Sequence, residues 1–443
     1  MSKTLTFKGG IHPDCHKDIS IGEPVREASL PKTVIVPLSQ HIGAPNTLLV
    51  KKGDVVVEGD IIGRSDSFIS SPVHSPVSGK VLEVKKAFHP ALGPAMSIFI
   101  ERDETIPTRV YEKKNDPDRL SSVEIIEKVK LAGIVGMGGA AFPTHVKLSV
   151  PEGKKIDTFI VNGAECEPYL TCDQVLMTQK TKEILLGIKI VQKVLKPGRT
   201  FIAVEDNKKA AVFAFEKAIK KMGIEGGISV ITLKTKYPQG GEKQLINATT
   251  GREVPPGKLP IDVGCMVQNV GTMNAVYEAV VMEKPLIERM VTVSGDCVSR
   301  SGNYLVRIGT SIEDLTGLCG IEIKTEPAKV IVGGPMMGIS QTGMTAPILK
   351  NTSGILFLSG KTAKVHDEQK CIRCAKCVDV CPMNLSPTDI MRNVKKENWD
   401  KAQELCISDC MECGSCTYIC PARIPLVQYV KEGKSAILRM KKA

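Results

Sequence analysis

The sequence predicts a multidomain protein of mixed α/β and α+β class, and three features of its 443 residues say so. Residues 30–105 carry short β-type runs broken by Gly-Asp turns, residues 119–286 alternate helical and strand patterns, and nine of the 15 cysteines crowd between Cys371 and Cys420. At roughly 150 residues per domain the length suggests about three domains. A composition of 42% hydrophobic and 24% charged residues excludes general disorder. No run approaches the ~18–20 apolar residues of a spanning helix, and Met1-Ser-Lys-Thr-Leu-Thr lacks the apolar core of a signal peptide. Aromatics at 4%, with one Trp, disfavour a base-stacking surface, so no nucleic-acid partner is expected. The net charge of +11 is spread along the chain, apart from the tail Arg439-Met-Lys-Lys-Ala. Such a spread fits an ordinary solvated surface better than an anionic membrane face.

Residues 1–118 form the first unit. Its runs Thr33-Val-Ile-Val, Gly53-Asp-Val-Val-Val, Gly59-Asp-Ile-Ile-Gly and Gly79-Lys-Val-Leu-Glu-Val are too short for anything but a small barrel or sandwich. With Ser71-Pro-Val-His-Ser-Pro-Val-Ser-Gly79 they resemble the barrel-sandwich hybrid of lipoyl and biotinyl carriers. The hairpin Ser70-Ser-Pro-Val-His-Ser-Pro has no modifiable Lys, so a structural role is expected.

Residues 119–286 read as an α/β domain. A helix over 122–130 starts at Ser121 or Ser122 with Glu124 in its first turn. Strands are predicted at 157–161, 200–204 and 228–233. Helices are predicted within 173–196, over 208–221 and over 272–283. That alternation implies a largely parallel, Rossmann-like sheet. Residues 287–340 follow as β-β-α-β, similar to a β-grasp module of the SLBB type and expected to be scaffold.

The strongest motif is Cys371-x-x-Cys374-x-x-Cys377-x-x-x-Cys381-Pro, repeated as Cys410-x-x-Cys413-x-x-Cys416-x-x-x-Cys420-Pro. The offset is 39 residues throughout (371 to 410, 381 to 420), an internal duplication. In this spacing three thiolates wrap one cubane and the fourth reaches the other. One [4Fe–4S] cluster is therefore expected on Cys371, Cys374, Cys377 and Cys420, its twin on Cys410, Cys413, Cys416 and Cys381. A zinc module needs Cys-x-x-Cys pairs rather than matched triplets, each followed by Cys-Pro. Residues 361–443 thus read as a mainly helical double-cubane domain that carries electrons, with Cys406 left over as a packed small residue.

The richest glycine loop, Gly136-Met-Gly-Gly-Ala-Ala-Phe-Pro-Thr144, follows a helix and has no Gly-Lys-Ser/Thr. It is neither the ordinary dinucleotide fingerprint nor an NTP-hydrolysing loop. Its backbone N–H groups suit phosphate oxygens, with Lys147 as a nearby cation. At a strand end, Asn162-Gly-Ala-Glu-Cys-Glu-Pro168 offers Glu165 and Glu167 as acceptors for ribose hydroxyls.

These two segments, with Gly240-Gly-Glu-Lys243 and Gln268-Asn-Val-Gly-Thr272, resemble the flavin and NADH site of the flavoprotein subunit of respiratory complex I. The module order resembles RnfC, the C-subunit family of Rnf ion-translocating ferredoxin:NAD+ oxidoreductases. So do Tyr237-Pro-Gln-Gly-Gly-Glu-Lys-Gln-Leu245 and Gly251-Arg-Glu-Val-Pro255. The resemblance implies FMN over Gly136, Gly138 and Gly139, with Lys147, Asn162, Asn269 and Thr272 around its phosphate, ribityl chain or ring. It implies NADH stacked on the flavin, with Phe142 as aromatic neighbour and Glu165, Glu167, Gly241 and Glu242 beside nicotinamide or ribose. Met137 stands where the complex I subunit usually has Arg, Ala164 where it has Asp, and Lys243 where it has a second Glu.

The family further implies a peripheral subunit on the cytoplasmic face of the bacterial inner membrane. Its partners would be the other subunits of a membrane-embedded complex, NADH and the ferredoxin pathway, with electrons running between NAD(H), FMN and the clusters. Two other functions share some of these modules. One is a cobalamin reductase of the propanediol type, which carries the barrel-sandwich unit at its other end. The second is an iron–sulfur adaptor whose flavin fold has lost its cofactor.

Overall fold

The computed structural model describes residues 4–440; the end of the basic tail, residues 441–443, lies outside the described residues. In the N-terminal module one antiparallel sheet runs Thr33–Pro37, Gly93–Arg102, Gly79–His89, Val55–Val56, and a second runs Thr47–Leu48, Ile61–Arg64, Val73–His74. Alternation sends Val34 and Val36 inward, where they share one core with Ile62, Val81, Ile98 and Ile100. The carrier-type hairpin does not project. Residues 70–79 are buried, and Lys350 Nζ donates to Pro72 O and Gly133 O at 2.6 and 2.7 Å. One buried lysine thereby joins this module to the next, and burial lowers its pKa to about 7.

The α/β domain has a four-stranded parallel sheet ordered Ser229–Leu233, Arg199–Glu205, Thr158–Gly163, Cys265–Asn269. Strands buried on both faces need continuous apolar runs, and Phe159, Ile160 and Val161 supply one. The capping box that opens Ser122–Leu131 is present, with Ser121 as N-cap and Glu124 reciprocating. Two helices, Cys172–Gln179 and Thr181–Leu195, occupy the stretch after the central strand. Gly187 lets the second of them lie against the helix Val270–Met282: a Cβ there would sit 1.9 Å from Met273 O. That helix starts two residues before the expected 272, because Asn269 caps it, accepting from Gly271 N at 2.7 Å.

The β-grasp sheet also takes in strands from outside residues 287–340. Its order is Arg26–Glu27, Gly302–Arg307, Glu288–Ser294, Gly354–Leu358, Lys329–Val332, Ile339–Gln341. The strand Gly354–Leu358, beyond the expected limit of 340, is wholly buried between two others. Its run Ile355-Leu-Phe-Leu358 fits only a sheet interior. At the other end, Arg26–Glu27 leaves the first unit to pair with Gly302–Arg307.

The C-terminal domain is helical as predicted, with Lys376–Asp379, Pro387–Val394, Trp399–Glu404, Ser415–Tyr418 and Leu426–Met440. The duplication extends to the backbone. Left-handed residues recur at the same offset as Arg373 and Glu412, Ala375 and Gly414, Asn384 and Arg423. Cys406 is not the packed small residue expected: it is exposed, with φ 58° at the start of a short turn.

Candidate functional site

The parallel sheet sets the centre of the site. Asn162 and Asn269 end adjacent strands and stand directly paired in register, so the loops after both strands open on one sheet edge. Asn162 Nδ2 donates to Gly240 O at 2.9 Å and its Oδ1 accepts from Ala164 N at 3.1 Å. Asn269 Nδ2 donates to Asp173 Oδ2 at 2.7 Å. The glycine loop closes across this edge: Gly136 N donates to Phe142 O at 2.9 Å, and Thr272 Oγ1 accepts from Met137 N at 3.0 Å. Gly138 is needed there, since a Cβ would lie 2.7 Å from Asn269 Nδ2, whereas Gly139 faces open space. Lys147 Nζ donates to Glu242 Oε1 at 2.8 Å and to Val267 O at 3.2 Å. The edge thus brings together the glycine loop with Phe142, Lys147, Asn162, Gly241, Glu242, Asn269 and Thr272.

Glu165 and Glu167 differ from the expectation. Neither is a free acceptor waiting for ribose. Glu165, at φ 45°, accepts from Asp173 N and Gln174 N at 2.7 and 3.2 Å and so caps the helix Cys172–Gln179. Glu167 accepts from Met336 N and Met337 N at 3.0 and 2.8 Å, tying the loop to the β-grasp module. Burial raises both carboxyls to about 7, with Lys17 opposing. An unfilled donor remains: Gln268 is buried and its Nε2 has no partner. Exposed backbone at Gly138–Ala140 and open space at Gly139, with Lys147 nearby in its pair with Glu242, fit a flavin phosphate. Met137 packs inward and Ala164 is fully buried, so neither adds charge to the edge.

The eight motif cysteines fall into two groups of four. One cavity is lined by Cys381, Cys410, Cys413 and Cys416, the other by Cys371, Cys374, Cys377 and Cys420. Backbone N–H groups point at sulfur in both repeats: Arg373 N to Cys371 Sγ at 3.4 Å and Glu412 N to Cys410 Sγ at 3.3 Å. Such donors stabilise thiolate character and raise cluster potential. Burial pushes Cys410 up to about 11, against the Glu412 N–H, and Cys416 to about 12, with neighbouring thiols adding to both. Iron, on binding, must displace those protons.

The two cavities are not equivalent. The first abuts the sheet edge: Tyr237 Oη donates to Cys413 O at 2.8 Å, and Gln244 Nε2 donates to Pro382 O at 3.2 Å. Gly241 lies against Met411 of its wall, where a Cβ would come 2.9 Å from Cε. The second has Cys374 exposed. Sequence reading missed Tyr237 and Gln244 as bridges, and Lys17 altogether. Tyr237 and Gln244 flank the Gly-Gly-Glu-Lys motif and could have been suspected on that ground. Lys17 carries no local signal.

Four family models match. The Nuo51 FMN-binding domain covers residues 129–278, the RnfC barrel sandwich hybrid domain 5–105, the SLBB domain 290–340 and the 4Fe-4S dicluster domain 363–421. The C subunit of the proton-translocating ferredoxin:NAD(+) oxidoreductase complex of Clostridium ljungdahlii is 45% identical over 437 residues, 97% of this chain and 93% of that protein. The C subunit of the Na(+)-translocating complex of Acetobacterium woodii is 45% identical over 442 residues, 99% of this chain and 98% of that protein. The C subunit of an ion-translocating oxidoreductase complex of Haemophilus influenzae is 40% identical, covering 99% of this chain and 53% of its own length. Among solved structures, an NAD+-reducing [NiFe]-hydrogenase in the H2-reduced state superposes with a TM-score of 0.51 at 17% identity. The superposition covers 73% of this chain and 61% of that one and shows a shared fold.

Proposed function

The chain belongs to the RnfC family, the C subunits of ion-translocating ferredoxin:NAD+ oxidoreductase complexes, and from that premise we propose that it exchanges electrons between NAD(H) and two [4Fe–4S] clusters through FMN. Bound FMN supplies the conversion between a hydride's two electrons and single-electron transfer. The chain's own work is to bind, orient and space the carriers. Gly136, Gly138 and Gly139 would present backbone N–H groups to phosphate, with Lys147 neutralising it. Asn162, Asn269 and Thr272 would fix the ribityl chain and ring. Phe142, Gly241 and Glu242 would border the dinucleotide. Glu165 and Glu167 would act by holding their loop rather than by gripping ribose.

The observation that carries this reading is the joint at Tyr237 and Cys413, which sets the flavin edge against one cysteine cavity. It favours an order in which Cys381, Cys410, Cys413 and Cys416 hold the near cluster, and Cys371, Cys374, Cys377 and Cys420 the far one. The far cluster would then face a partner, as a subunit lying on the cytoplasmic face of a membrane-embedded complex requires. Among the described residues no helix is long and apolar enough to cross a membrane.

Anaerobic reconstitution with iron, sulfide and FMN tests the proposal. Flavin bands should remain after gel filtration, and NADH should bleach them. Cluster absorption alone, indifferent to NADH, would favour the flavin-free adaptor.

A further inference from the structure

Residues 5–20 leave the N-terminal module and run across the joint between flavin edge and near cluster. Leu5 extends the parallel sheet, donating to Thr232 O at 2.9 Å and accepting from Lys234 N at 2.9 Å. Lys236 Nζ donates to Phe7 O and, at 2.7 Å, to Gly9 O, and sits 3.9 Å from the Phe7 ring centroid. Gly10 N donates to Val380 O at 2.9 Å, beside the ligand candidate Cys381. Ile11 and Tyr237 exchange backbone hydrogen bonds at 2.8 and 2.9 Å and share one apolar cluster with Cys413. Further on, Cys15 O accepts from Tyr169 N at 2.8 Å. Lys17, buried, donates to the carbonyls of Glu165 and Glu167 at 2.9 Å each, and to that of Leu170. Within eight residues one segment therefore touches both walls of the gap.

The contacts are specific. Gly9 and Gly10 have φ of 83° and 82°, a region open to glycine. A Cβ on Gly10 would meet Tyr237 O at 2.7 Å, and one on Gly9 would meet Cys381 O at 3.1 Å. Lys17 spends all three of its donors on loop carbonyls, around Glu165 and Tyr169 held at φ 45° and 66°. A buried lysine is costly unless its donors are satisfied, so the ammonium is committed to this loop. A loop with two left-handed non-glycine residues keeps that shape only when its surroundings enforce it.

We propose that residues 5–20 are a strap that sets the distance between the flavin and the near cluster, with Gly10 and Lys17 as its positioning residues on the two sides. This rests on the electron-transfer reading above. A hydride would pass from NADH to bound flavin, leaving NAD+, and the two electrons would then cross this gap singly to the two clusters, restoring oxidised flavin as the proton goes to solvent. Crossing by tunnelling falls steeply with distance, so a strap that fixes the gap fixes the rate.

The test uses the full chain. In protein loaded with FMN and both clusters, rapid mixing of Gly10→Ala with NADH should leave flavin bleaching unchanged. Cluster reduction should slow severalfold, because the methyl pushes the strap off Tyr237 O and widens the gap that the electrons cross. In the unloaded chain, amide hydrogen exchange should quicken at residues 379–383 in Gly10→Ala and at 165–171 in Lys17→Met, with Lys17→Arg intermediate. Wild-type cluster reduction and wild-type exchange would overturn the strap, as would equal slowing of both kinetic phases. If NADH fails to bleach the wild type, the electron-transfer reading fails instead, and the exchange data still decide whether the segment clamps both walls.

Discussion

At the scale of single residues, Glu165 shows how a motif can be read correctly as unusual and wrongly as to its job. An acidic residue in Asn-Gly-x-Glu-x-Glu-Pro was legible as special, but its hydrogen bonds to Asp173 N and Gln174 N are not encoded in any local pattern. They arise because the helix Cys172–Gln179 lacks a side-chain cap from Thr171 and takes one from across the loop. Burial raises this carboxyl from 4.5 to about 7. Between those values the unfolded chain has released the proton and the folded chain keeps it, so the group's contribution to stability falls as pH rises and levels off above about 7. Denaturant unfolding of the unloaded protein at pH 5 and pH 8 should therefore show a smaller loss in Glu165→Gln than in wild type; equal losses would refute the assignment. At Gly138 the prediction is loss of FMN: in Gly138→Ala the methyl meets Asn269 Nδ2, and flavin retained after gel filtration should fall while iron content stays.

Among elements, the helices were the easier reading. The sequence located a helix over 122–130 and left its cap between Ser121 and Ser122; the structure settles on Ser121, and a Ser121→Ala variant should lose about 1 kcal/mol in denaturant unfolding. The sheet of the β-grasp module was harder, because Gly354–Leu358 joins it from 60 residues past the first strand's end. Sequence-local rules carry no information on such a pairing. Gly187 was equally silent, one glycine in a helical pattern whose reason is a neighbouring backbone. Filling it as Gly187→Ala should cost roughly 1–3 kcal/mol by overpacking against Met273, read as a lower denaturation midpoint.

Over the whole molecule, the duplicated cysteine motif gave the two fourfold sets because cubane geometry dictates which thiol can reach which cluster. The structure adds an asymmetry between the two sets. Tyr237, Gln244 and Gly241 meet the walls of one cavity, and Cys374 of the other is exposed. No spacing rule could have suggested the proposed order, since it rests on how the C-terminal domain docks on a loop more than 100 residues earlier in the chain. The same holds for the strap, whose residues carry no motif in sequence and acquire meaning only from what they touch.

Electrons are proposed to run from the flavin edge to the near cluster and then to the far cluster. Anaerobic NADH reduction of the loaded chain, followed by EPR in ligand variants, tests this order most directly. Cys374→Ala, which damages the far set, should leave NADH able to reduce the near cluster. Cys381→Ala, which damages the near set, should leave the far cluster present but no longer reduced by NADH. A far cluster still reduced at the wild-type rate in Cys381→Ala would contradict the account.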